Sequence, residues 1–203
     1  MCLAFLLPAL LYAEDRTPRG RAGQFDFYLL TLSWSPAYCQ GRSGDAECRR
    51  PLGFVLHGFW PQYNNGRWPQ FCSQAPGLRD PSSILDIMPK PALIRHEWER
   101  HGVCSGLSAE DYFALARRAF ESIRIPQRLL RPTRPITISP AELERELAAA
   151  NPGLTAGGIS LQCSRQYLSE VRVCLNKNLG PIPCTAERGC ARPAVTLLPV
   201  SAR

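Results

Sequence analysis

The chain has 203 residues, 45% of them apolar and 20% charged, the proportions of a soluble globular protein with one domain, or at most two small ones, around a substantial core. Its formal charge is +7, carried almost entirely by arginine, since Lys90 and Lys177 are the only lysines. Such a surface attracts polyanions such as RNA and speeds encounter with them, although many basic proteins bind no nucleic acid and charge alone selects no function.

Residues 1–13 form a short apolar run ending in the small residue Ala13, ahead of Glu14 and Asp15. The run reads as the hydrophobic region and cleavage site of a signal peptide and is too short to span a bilayer. No Lys or Arg precedes it, the pattern expected of a start truncated ahead of the run. Cleavage would remove Cys2 and leave an even set: Cys39, Cys48, Cys72, Cys104, Cys163, Cys174, Cys184 and Cys190. In an exported chain these read as four disulfides whose connectivity spacing alone leaves open. No CxxC spacing occurs, which argues against a zinc knuckle or a thioredoxin-type redox site.

Residues 14–24 are a polar segment. The stretch FDFYLLTLSW (25–34) is rich in aromatic and branched residues and ends at Pro36, predicting a strand followed by a loop that Cys39–Cys48 would close. GFVLHGFW (53–60) predicts a second strand stopped by Pro61. Residues 62–82 form a polar loop whose Tyr63, Trp68 and Phe71 either offer faces on which bases stack or pin the loop onto the core. Residues 94–101 read as helical. Residues 108–123 make a stronger helix, with Ser108 as N-cap, Asp111 three residues on, and an apolar stripe of Tyr112, Leu115, Ala116, Ala119 and Ile123. Ser139-Pro140-Ala141-Glu142 opens another helix and Asn151-Pro152-Gly153 ends it. Residues 159–162 and 168–176 read as strands. Strands, then helices, then strands predict an α+β fold around a central antiparallel sheet.

All three histidines sit in two motifs, LHGFWPQ (56–62) and RHEWERHG (95–102). Imidazole is the side chain whose ordinary pKa puts proton transfer near neutrality. On a helix, His96 and Arg100 share one stripe, and Glu97 and His101 an adjacent one, while Trp98 points elsewhere. The segment superficially resembles the zinc motif HExxH, but its spacing is HExxxH. Two histidines five apart lie about 140° apart around a helix, a poor arrangement for one ion. Two imidazoles, a carboxylate and a guanidinium suit internal transfer at an RNA phosphodiester. The 2′-hydroxyl is a nucleophile already beside the phosphorus, so the protein need only deprotonate it, protonate the departing 5′-oxygen and stabilise phosphoryl charge. Arginine's planar fork fits the last task. A Cys72–Cys104 bond would tie the loop after the first motif to the end of the second.

HGFWP resembles the first active-site motif (HGLWP) of the ribonuclease T2 family, and HEWERHG its second (HEWxKHG). The segment Trp34-Ser35-Pro36-Ala37-Tyr38-Cys39 is similar to the family's entry strand, and the C-terminal cysteines match as well, so the likeness covers most of residues 25–190. The resemblance implies a ribonuclease T2-like, disulfide-stabilised α+β fold, with residues 25–203 as one catalytic domain. It implies His101 as general base and His57 as general acid, reversing when water opens a 2′,3′-cyclic phosphate. His96 would bind phosphate, Glu97 and Arg100 would steady the transition state, and Trp60 would stack on a base. It also suggests nested bonds Cys163–Cys190 and Cys174–Cys184, beside Cys39–Cys48 and Cys72–Cys104. Two positions depart from the pattern. Arg100 replaces the usual lysine, and Gln62 stands where some relatives carry a base-contacting aspartate, which relaxes the expected base preference. Tyr63 and Leu93 are candidate further walls of the base pocket.

The expectation is thus an exported endoribonuclease acting on single-stranded RNA, periplasmic or secreted. It would need no metal or other cofactor, have RNA as its partner, and be a monomer without a membrane anchor. A catalytically silent RNA binder and a zinc hydrolase are the competing classes.

Overall fold

The computed structural model describes residues 16–185 and 187–200; the signal-peptide expectation for residues 1–13 lies outside them. Six strands form one sheet: β1 (Phe27–Trp34), β2 (Phe54–Gln62), β3 (Ile136–Ile138), β4 (Ile159–Ser164), β5 (Tyr167–Leu175) and β6 (Val195–Leu197). The order is β2-β1-β5-β6-β3, with β4 paired to β5. All pairings are antiparallel except β5 with β6, which meet in parallel at Tyr167 and Thr196. The helices are α1 (Ser35–Tyr38), α2 (Pro91–Arg100), α3 (Ala109–Ser122), α4 (Gln127–Leu130) and α5 (Pro140–Ala150). Among the described residues no helix is long and apolar enough to cross a membrane.

The expected capping residues do their work. Ser108 and Ser139 accept from the backbone N–H of Asp111 and Glu142, satisfying donors that a helix start otherwise leaves orphaned. Several boundaries differ from the sequence expectation. The first strand starts at Phe27 rather than residue 25. Helix α2 begins at Pro91, which fits the first turn because its missing N–H would be unpaired there anyway. Pro61 does not stop β2. That strand is an edge, where a residue without an N–H costs no ladder bond on the open side. Strands β3 and β6, three residues each, and the short helices α1 and α4 carry too little pattern to be foreseen.

One irregularity in the sheet orients a motif histidine. Thr31 of β1 faces Gly58, but Leu32 faces Leu56, so His57 is an extra residue in β2. Strict alternation would put Leu56 and Phe59 on opposite faces. The bulge lets both enter the core, at 0% and 1% exposure, and turns His57 to the other face. Tyr112 of α3, also buried, donates its hydroxyl to the Phe59 carbonyl at 2.6 Å, anchoring β2 beside the bulge. Tyr112→Phe should cost about 1–2 kcal/mol, measurable by urea unfolding with the disulfides intact.

Candidate active site

The two histidine motifs face each other across a cavity of about 310 Å³. Strand β2 contributes His57, Trp60 and Gln62, and the second motif contributes His96, Glu97, Arg100 and His101. His101 is not inside the helix. It is the C-terminal cap of α2, still donating its backbone N–H to the Glu97 carbonyl, and a short 3-10 turn, Gly102–Cys104, follows. Both His96 and His101 thereby reach the same cavity despite their spacing. Among the described residues, no three His, Cys, Asp or Glu side chains are grouped to hold a metal ion.

Glu97 is 2% exposed, and the Trp60 indole N–H donates to its Oε2 at 2.5 Å. Burial pushes its carboxyl up to about 7, against the opposing pull of His57, the Trp60 bond and Arg100. The Trp60 ring lies between the two imidazoles, with centroids 5.3 Å from His57 and 5.4 Å from His101. The Arg172 guanidinium lies 5.5 Å from the Trp60 ring centre. Trp60 therefore has two functions in the wall, bonding the buried carboxylate by its edge while its ring lines the cavity.

The imidazoles sit in opposite electrostatic surroundings. His101 is buried with its Nδ1 unpartnered; burial first, then the charges of Arg100, His96 and His57, push it down to about 3. It is neutral across the ordinary pH range. Burial also disfavours charge on His57, but a hydrogen bond from Nδ1 to Glu170 at 2.7 Å, with the charges of Glu170 and Glu97, outweighs burial and the repulsion of Arg172. The net result is a raised pKa.

Arg100 lines the cavity, with its guanidinium 5.8 Å from the Phe71 ring centre. Trp68 stands at the rim, 43% exposed. Tyr63 does not join them; its backbone closes a turn with Arg67 and its ring packs on the core. Leu93 lines a different cavity, of about 510 Å³, which shares only His57 with the first. The sequence reading missed Glu170, Arg172 and Glu187. Alternation in β5 puts Glu170 and Arg172 on one face, but nothing local identifies that strand's neighbours.

Four disulfides join Cys39 to Cys48, Cys72 to Cys104, Cys163 to Cys190 and Cys174 to Cys184. The second links the loop after β2 to the turn that follows His101.

A sequence model of the ribonuclease T2 family matches residues 25–184. The chain belongs to the ribonuclease T2 family. It is a T2-type endoribonuclease, similar to a ribonuclease of Aeromonas hydrophila at 39% identity over 180 residues, 85% of this chain and 81% of that protein. Ribonuclease DdI of Dictyostelium discoideum is 28% identical over 200 residues, 87% of each chain. Among solved structures, an RNase-related protein from Calystegia sepium superposes with a TM-score of 0.74 at 22% identity, over 87% of this chain and 98% of that one. RNase NT, solved in complex with 5′-AMP, gives a TM-score of 0.61 at 24% identity, over 87% and 99%.

Within this T2 site Gly58 has no substitute. An added Cβ would fall 2.0 Å from Trp60 Nε1 and 2.7 Å from Glu97 Oε2, breaking the bond that orients both. Gly58→Ala should keep the fold by circular dichroism and lower RNA cleavage on the order of 10²-fold.

Proposed function

We propose that this T2 enzyme is exported and cleaves single-stranded RNA without a metal, by attack of the 2′-hydroxyl on the adjacent phosphorus. His101 takes the 2′-proton and His57 protonates the departing 5′-oxygen, leaving a 2′,3′-cyclic phosphate. In a slower second step His57 takes a proton from water, which opens the ring, and His101 returns one to the 2′-oxygen. His96 binds the phosphate, Arg100 offsets charge on the phosphoryl oxygens, and Glu97 helps to steady the transition state. Trp60 and Gln62 contact the base with little selectivity, because a glutamine amide can donate or accept. Residues 25–203 act as one catalytic domain, and the chain works as a monomer.

The observation that carries this reading is the meeting of His57 and His101 in one cavity, each beside the Trp60 ring, with surroundings that keep His101 unprotonated and favour the protonated form of His57. A proton-in, proton-out reaction needs that pair of states at the same pH. The cavity holding Leu93 also touches His57, so an acid standing between two cavities can serve a phosphodiester with one nucleoside on each side. Four disulfides suit an oxidising compartment, which supports a periplasmic or secreted enzyme.

Digestion of defined oligonucleotides, with product ends identified, tests the chemistry. Cyclic-phosphate ends should accumulate first, EDTA should leave the rate unchanged, and DNA should stay uncut. His57→Ala and His101→Ala should each lose about 10²–10⁴-fold in rate; near-normal cleavage by either would sink the mechanism. The pH profile follows from the same assignment. Activity needs His101 unprotonated, so it should rise on an acid limb well below 6.5, and His57 protonated, so it should fall on an alkaline limb above 6.5. An acid limb at an ordinary imidazole pKa would contradict the assigned base.

A further inference from the structure

Among the described residues, Glu170 is a second carboxylate, besides Glu97, whose charge acts on His57. Glu170 on β5 meets the ring at Nδ1 through its Oε1, at 2.7 Å. Both side chains are mostly covered, with 32% of His57 and 15% of Glu170 exposed. The other oxygen of Glu170 is occupied. Arg172 donates to Oε2 from Nε and Nη2, at 3.0 and 2.8 Å. The same guanidinium donates from Nη1 to Glu187 at 2.9 Å. Arg172 is thus held between two carboxylates and presents Glu170 to the imidazole in one orientation.

The sheet register explains why these groups meet. Strand β1 lies between β2 and β5, with Thr31 facing both Gly58 and Arg172, and Ser33 facing Glu170. The bulge turns His57 onto that face, toward the acid across the intervening strand. The other ionisable groups near His57 come from several elements. Glu97 and His101 come from α2 and its end; Arg42, Glu47, Lys90 and Arg165 line the adjoining cavity.

We propose that Glu170, clamped by Arg172, is the positioning residue for His57. It fixes the ring with Nδ1–H toward the strand and Nε2 toward the cavity, and holds the imidazole charged for the first step. An ionised carboxylate can only accept, so Nδ1 must carry a proton. The second imidazolium proton then sits on Nε2, and that is the one passed to the 5′-oxygen. Afterwards the neutral ring keeps its Nδ1–H on Glu170 and offers a bare Nε2 to water. Glu170 stays ionised throughout and takes no proton. The proposal rests on the reading of His57 as the proton donor.

The test is Glu170→Gln, which keeps an acceptor oxygen and the side chain's shape while removing its charge. With three histidines in the chain, imidazole titrations are readily resolved by proton NMR on the intact, disulfide-bonded protein. The His57 titration should move to lower pH, and the alkaline limb of kcat should follow it. The variant should lose about tenfold or more in kcat at pH 7 but only about threefold at pH 5, where His57 is charged without help, with KM little altered. Arg172→Gln should move the His57 titration the opposite way, because that guanidinium opposes the imidazolium; it also keeps the idea testable if Glu170→Gln folds poorly. A Glu170→Gln titration that superimposes on the parent's, or a rate loss equal at all pH values, overturns the proposal. If His57→Ala retained cleavage, the assignment of the proton donor would fail instead, while the titration would still report on the contact.

Discussion

The carboxylate of Glu97 is the constraint around which the rest of the site is arranged. Moving an ion of that kind out of water costs several kcal/mol after relaxation, and at 2% exposure its neighbours offset only part of that, leaving the acid at about 7. Two sources of the offset are visible: the Trp60 N–H donated to Oε2, and the positive charges of His57 and Arg100. Each imposes a further demand. The indole N–H can reach the carboxylate only if residue 58 has no side chain. His57 can contribute charge only if something else holds its proton, which is the part Glu170 plays across the sheet. A glycine in the first motif, a tryptophan two residues on and an acid in a distant strand are all consequences of placing one buried acid near neutrality.

The same arrangement accounts for the difference between the two imidazoles. His57 leans on carboxylates from two elements, Glu170 and Glu97, whereas His101 is surrounded by Arg100, His96 and His57, all of them cationic when charged. Burial acts on both in the same direction. The sign of the neighbouring charge therefore separates them, and it separates them in the sense that a proton donor and a proton acceptor require.

How far the sequence could be read depended on distance along the chain. Ser108 and Ser139 announced helix starts because capping involves residues three apart. The two histidine motifs were legible for the same reason, as was the loop closed by Cys39 and Cys48. The His57–Glu170 contact spans 113 residues and depends on β1 lying between their strands, which no local pattern states. The bulge at His57 was hidden too, although Leu56 and Phe59 flanking His57 and Gly58 break simple alternation. Pro61 misled because its meaning depends on whether its strand is an edge. For Tyr63, Trp68 and Phe71 in one polar loop, composition left stacking and core-pinning equally open; the turn with Arg67 packs Tyr63 on the core while Trp68 stands at the rim.

The disulfides tie the loops and the C-terminal tail onto the core, with Cys104 and Cys174 fully buried. The bonds join loops and strand ends, and all four flank a segment carrying a group at one of the two cavities. Cys72–Cys104 holds the turn just past His101, and Cys39–Cys48 holds the loop bearing Glu47 at the second cavity. Glu187 lies between Cys184 and Cys190, which are tied back to β5 and β4. That tail contains little buried apolar surface to order it, so the cross-links supply the constraint that hydrophobic packing does not. Through them the grip of Glu187 on Arg172, and of Arg172 on Glu170, reaches the imidazole of an edge strand one strand beyond β1 on the same face. The cysteines thus stabilise the chain and also hold the orientation of a proton.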